Sequence, residues 1–127
     1  MSRTALIVED EIFVALDLER ILTDAGYHVV GIAADRREAL EVAGQCAFAF
    51  VDVNLRDGLT GPLIAQRLAA EHGVRVVFVT ANPSQIGEGS PALGFVRKPF
   101  NEAAILKAAA IASNDDTPVR NGAMAAI

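Results

Sequence analysis

Five consecutive apolar residues, Ala47-Phe48-Ala49-Phe50-Val51, run without polar alternation into one carboxylate, Asp52, and then into a loop punctuated by Gly58 and Gly61. A run with no alternation suits a strand buried on both faces, as in a parallel sheet covered by helices on either side. A carboxylate at the end of such a strand is costly unless something compensates it. The carboxyl edge of an open α/β sheet is also where ligands bind. Taken alone, a loop cap with two turn glycines accounts for Asp52 as well as a functional acid does.

The same unit recurs along the chain. Thr4 to Val8 is a strand-forming run that ends in Glu9-Asp10-Glu11. Val14, Leu18, Ile21, Leu22 and Ala25 then share one helical face, opposite Asp17, Arg20 and Asp24, with Gly26 as the stop. His28 to Ile32 predicts a second strand, and Asp35 followed by Glu38 has capping-box spacing for a helix ending at Gly44. Pro62 suits the first turn of a helix striped by Ile64, Ala65, Leu68 and Ala69 and closed by Gly73. Arg75 to Val79 is a fourth strand that delivers Thr80. Leu93 to Val96 is a fifth, followed by Arg97-Lys98-Pro99-Phe100 and a helix N-capped by Asn101 that carries Ile105, Ala108, Ala109 and Ala112. Between them Pro83, Gly87, Gly89, Pro91 and Gly94 oppose a regular helix. Polar residues with Pro118 and Gly122 follow Ser113, which predicts a domain over 1–113 and a flexible tail over 114–127.

Strands alternating with helices give a (βα)5 pattern, an α/β doubly wound, flavodoxin-like parallel sheet of five strands with a short or irregular fourth helix. At 127 residues, 52% hydrophobic but only 6% aromatic and without Trp, the chain fits one domain with a core of Val, Ile, Leu and Ala. A net charge of −5 without clustered Lys and Arg argues against nucleic acid as a partner. Cys46 is the single cysteine, which excludes an intrachain disulfide and a Cys-based zinc motif and suits a small buried thiol. No apolar stretch reaches the ~18 residues of a membrane span, and the first apolar run lacks a cleavage pattern, so no membrane association and a cytoplasmic location are expected.

Parallel strands would bring Glu9, Asp10, Asp52, Thr80 and Lys98 to one rim. Three carboxylates there repel and raise one another's pKa unless a cation sits among them. Lys98 cannot balance all three, whereas a hard divalent ion such as Mg²⁺ can. Asp52 could then stay ionised as a nucleophile toward a phosphoryl group, with Lys98 supplying charge and Thr80 a hydroxyl.

With Glu9-Asp10 after the first strand, Asp52 within Val51-Asp52-Val53-Asn54-Leu55, Thr80-Ala81 after the fourth and Lys98-Pro99-Phe100 after the fifth, residues 3 to 113 resemble a bacterial two-component response-regulator receiver domain of CheY-like type. The resemblance implies that Asp52 accepts a phosphoryl group from a sensor histidine kinase phosphohistidine. It implies that Asp10, Asp52 and the Asn54 backbone carbonyl bind Mg²⁺, with Glu9 acting through water. It also implies that Thr80 and Lys98 engage the phosphate, that Ala81 leaves room for its entry, that Asn54 and Asn82 adjust phosphoryl lifetime, and that Phe95 is an aromatic switch. A cis Lys98-Pro99 peptide bond belongs to the same pattern. The Thr80-Ala81-Asn82 run is similar to alphaproteobacterial stand-alone receivers that work with HWE-type kinases.

No output domain follows, so a stand-alone receiver is expected, acting through an unknown downstream protein or as a phosphate sink rather than as an enzyme. The stretch from Thr80 to Lys98 is shorter than usual by about one helical turn, which counts against a standard dimer and leaves a monomer or weak dimer as the expectation. Two rivals remain. A phosphorylation-independent pseudo-receiver would keep the fold alone, and a haloacid-dehalogenase-type phosphatase would want an acid where Asn54 stands. Singly, Glu9 and Asp10 could serve the first helix dipole, Thr80 a cap, Lys98 a solvated charge and Phe95 the core.

Overall fold

The computed structural model describes residues 3–114 and 126–127. Its strands are β1 (Thr4–Val8), β2 (His28–Ala33), β3 (Phe48–Val51), β4 (Arg75–Thr80) and β5 (Gly94–Arg97). The helices are α1 (Ile12–Asp24), α2 (Arg36–Glu41), α3 (Gly61–His72) and α4 (Glu102–Ala112). All the strand pairs are parallel, in the order β2-β1-β3-β4-β5. After β2 the chain returns to the other side of β1, so the order reverses between β1 and β3 and leaves a crevice at their carboxyl ends.

Every residue of β3 is buried, as its lack of alternation predicts. Ala49 and Val51 pack with Ala39 of α2 and Ile64, Ala65 and Leu68 of α3 on one face. On the other, Phe48 and Phe50 meet Ala15, Leu18, Ile21 and Leu22 of α1 and Ile105, Ala108, Ala109 and Ala112 of α4. Phe48 and Phe50 are buried in that second layer, and the half-buried Tyr27 packs against it. Tyr27 meets Phe48 edge-on at 5.4 Å between ring centroids, and Phe48 meets Phe50 at 6.1 Å.

The helix ends follow their capping chemistry. Asp35 Oδ1 accepts the Glu38 N–H at 3.0 Å, but Glu38 reaches back to the N–H of Ala34 instead of that of Asp35, so the box is widened by one residue. Asn101 accepts the Ala104 N–H at 2.8 Å. The second helix stops at Glu41 and passes into a 3₁₀ turn, Ala43–Gln45, short of the predicted Gly44 boundary. Burial pushes the half-buried Cys46 thiol up to about 11, which makes it a poor nucleophile at neutral pH.

The fourth crossover holds only a 3₁₀ turn, Pro83–Gln85. Gly87 and Gly89 take positive φ angles of 84° and 73°, which a regular helix cannot include. The expected tail over 114–127 falls mostly on residues 115–125, outside the described residues. Ala126 and Ile127 are described, and they pair with Phe95 of β5. Among the described residues no helix is long and apolar enough to cross a membrane.

Candidate functional site

Hydrogen-bond ladders carry the sheet into the rim. Glu9 N–H donates to Ala33 O at 2.8 Å, Asp52 N–H to Val8 O at 2.9 Å, and Lys98 N–H to Thr80 O at 3.0 Å. Each of these residues is the next rung of a strand pair, so its position is set by the ladder before any side chain interacts. The Lys98-Pro99 peptide is cis.

Three side chains converge at the centre. Lys98 Nζ donates to Asp52 Oδ2 at 2.9 Å, lies 2.6 Å from Glu9 Oε1, and lies 3.5 Å from Glu11 Oε1. Glu9 and Asp52 are buried, at 3% and 6% exposure, whereas Asp10 and Glu11 are exposed. Above them opens a cleft of about 260 Å³ lined by Asp10, Glu11, Asp52, Asn54, Leu55, Thr80, Ala81, Asn82 and Lys98. Thr80 is buried and its Oγ1 accepts the Asn82 N–H at 2.9 Å. Phe95 is half-buried against the α2 and α3 side of the core and does not line the cleft.

Negative charge exceeds positive charge here. Among the described residues, one carboxylate oxygen from each of Glu9, Asp10, Glu11 and Asp52 lies within 4.8 Å of the others, against the single ammonium of Lys98. Glu9 Oε1 is buried and makes no hydrogen bond of good geometry despite its ion pair with Lys98, while Oε2 accepts the Glu11 N–H at 3.2 Å. Burial pushes the Glu9 carboxyl up to about 7, with Lys98 opposing and the Asp52 charge adding to the rise. Burial alone would lower Lys98, but its close contacts with the Glu9 and Asp52 carboxylates prevail and hold the ammonium above its usual value. A hard cation suits this all-oxygen, over-acidic donor set.

A stability test follows from the sign of the Glu9 shift. An unfolded Glu9 ionises near the usual 4.5 while the folded one holds its proton to about 7. The group therefore stabilises the fold fully below pH 4.5, and that contribution is lost as pH rises to about 7. In chelator the melting temperature is expected to drop by several degrees between pH 5 and pH 7.5, and Glu9→Gln should flatten the drop. A flat or rising wild-type curve would contradict this placement of Glu9.

Three features of the site depend on contacts between segments distant in the sequence. Glu11 joins Glu9, Asp10 and Asp52 in the acid cluster, although the sequence singles out only the first two acids of the Glu9-Asp10-Glu11 run. The side chain of Asn54 donates to Gln85 Oε1 at 2.7 Å, tying the loop after β3 to the 3₁₀ turn after β4. Gly61, expected to serve a turn, has another reason to be glycine: a Cβ there would stand 2.1 Å from Asp52 O and 2.6 Å from Val53 Cα. Its N–H donates to Val53 O at 3.0 Å, which seats the start of α3 directly on the backbone of the Asp52 loop. No local pattern separates a turn glycine from one pressed on another segment.

A family model described as the response regulator receiver domain matches residues 5–110. Over 108 residues the chain is 33% identical to the phyllosphere-induced regulator PhyR of Methylorubrum extorquens, covering 81% of this chain and 40% of PhyR. It is 30% identical over 120 residues to the transcriptional regulatory protein PdtaR of Mycobacterium tuberculosis, covering 88% of this chain and 57% of PdtaR. The chain thus spans about half the length of the curated relatives it matches. Among solved structures it is similar to the receiver (REC) domain of Erythrobacter litoralis PhyR, with 28% identity, a TM-score of 0.77 and coverage of 93% of this chain and 97% of that one. PhyR from Brucella abortus is 30% identical with a TM-score of 0.76, over 89% of this chain and 48% of that one.

Proposed function

Because the chain belongs to the response regulator receiver domain family, we propose that it accepts a phosphoryl group on Asp52 from the phosphohistidine of a sensor histidine kinase and signals by the resulting change in protein binding. The observation that carries this reading is the placement of Asp52, a buried carboxylate bound by Lys98 at 2.9 Å yet open to a cleft.

Lys98 holds Oδ2, which orients the carboxylate with Oδ1 as the attacking atom. The bond from Oδ1 to phosphorus forms as the bond from phosphorus to the histidine nitrogen breaks, and the departing imidazole takes a proton from water. Lys98 follows the charge onto the phosphoryl oxygens, and Thr80 donates its hydroxyl after giving up the Asn82 contact. Ala81 keeps the approach open because it has no side chain beyond Cβ, and Asn54 and Asn82 border the path of the water that later removes the group. Mg²⁺, held by Asp10, Asp52 and the Asn54 carbonyl with Glu9 acting through water, would neutralise the phosphoryl oxygens. A phosphate adds about −1.5 to −2 charges, enough to move Thr80 and, through β4 and β5, Phe95.

A protein donor must also touch the surface around the cleft. Ile12, Phe13 and Leu16 of α1 are 56%, 85% and 46% exposed. Phe13 lines a groove of about 430 Å³ that shares Ala81 and Lys98 with the cleft. Exposed apolar groups at that position fit a docked partner, and the Thr80-Ala81-Asn82 run favours a kinase of HWE type. Phe13→Ala is expected to slow phosphoryl transfer from such a kinase at least tenfold while leaving labelling by acetyl phosphate unchanged. Equal slowing of both would mean that Phe13 supports the site and not the donor.

The reading is tested by incubating the protein with acetyl phosphate and Mg²⁺ and weighing it intact. One phosphoryl adduct is expected, lost when a chelator replaces Mg²⁺. Absence of any adduct, including with a phosphorylated kinase, would leave a phosphorylation-independent interaction module in its place.

A further inference from the structure

The outer side of β5 is an open sheet edge that the chain closes with a distant piece of itself. Lys98 turns its N–H toward Thr80 on β4, so by the two-residue period of a strand Phe95 and Arg97 turn their backbone groups outward. Ile127 N–H donates to the Phe95 carbonyl at 2.9 Å, and Ala126 bridges Phe95 in parallel. Ala126 is exposed, whereas Ile127 packs on the α1 and α4 side of the core. This is the alternation of a strand added to the sheet. Among the described residues the added piece is seated on Phe95 by its backbone pairing and on the core by the half-buried Ile127 side chain, the two features an incoming strand would have to reproduce.

We propose that the outer edge of β5 is a strand-addition site, occupied at rest by Ala126–Ile127 and able to take in their place an extended partner segment with a branched apolar side chain at the Ile127 position. Such a segment would recover the Phe95 pairing through its own backbone as it displaces the resident. The inference does not depend on phosphorylation of Asp52.

The test uses the full chain and a fluorescent peptide of its own residues 121–127. Ile127→Pro removes the N–H donor and keeps an apolar side chain, and Ile127→Asp keeps the donor and removes the apolar one. Both variants are expected to bind the peptide at least tenfold more tightly than wild type does. Both should also exchange the amides of residues 93–98 at least fivefold faster, with added peptide restoring protection. A peptide carrying Asp in place of its isoleucine should not bind. Equal binding by wild type and variants, no binding by either variant, or unchanged exchange over 93–98 would overturn the site. A concentration-dependent dimer that Ile127→Pro abolishes would overturn the intramolecular cover and assign the resident strand to a second copy.

Discussion

Asp52→Asn should remove the phosphoryl adduct completely while leaving the fold at least as stable as wild type. The amide has nearly the shape of the carboxylate but lacks the anionic oxygen that attacks phosphorus. It also takes one of four clustered carboxylates out of the cation site, so metal binding should weaken with it. Stability should hold because Lys98 keeps its 2.6 Å contact to Glu9. The negative charge that helps raise the Glu9 pKa disappears at the same time. Intact mass after acetyl phosphate treatment reads the first outcome, and thermal unfolding in chelator reads the second. An adduct of undiminished yield in the variant would move the phosphoacceptor to Glu9, Asp10 or Glu11 and end the assignment to Asp52.

Gly61→Ala is expected to be the most damaging single methyl that can be added near the site. At 2.1 Å from Asp52 O and 2.6 Å from Val53 Cα, the new carbon would overlap backbone atoms rather than the end of a flexible side chain. Either α3 withdraws, losing the packing of Ile64, Ala65 and Leu68, or the Asp52 loop shifts away from Lys98. Overpacking of a rigid contact costs about 3 kcal/mol, and labelling of whatever remains folded should fall as well. Gly58→Ala is the control, because Gly58 has φ of 105° with open space around it. Its cost is backbone strain alone, about 1–2 kcal/mol. Urea unfolding of the two variants decides the matter, and a Gly61→Ala penalty no larger than that of Gly58→Ala would show that helix and loop yield to each other freely.

The two glycines show where local reading stops. Both stand in one polar loop, and both look like turn residues in the sequence. Only Gly58 is one by its dihedral angle, whereas Gly61 is required by the backbone of Asp52 and Val53, which folds back against it. Similarly, Glu9-Asp10-Glu11 reads as three acids in a row, yet the third enters the cluster only because Lys98 and Asp52 arrive from other strands. The link from Asn54 to Gln85 spans 31 positions and has no local signature.

What the chain determined by itself was the alternation of buried strands and one-sided helices, and the carboxylate, hydroxyl and ammonium at the strand ends. Those depend on residue type and short-range period, since an unbroken run such as Ala47–Val51 can satisfy its side chains only between two covering layers. The tertiary structure alone decided the distances: Lys98 against Asp52 and Glu9, α3 pressed on the Asp52 loop, and Ile127 laid along β5. Each of these depends on register and close approach between segments far apart in the chain, which no window of neighbouring residues contains.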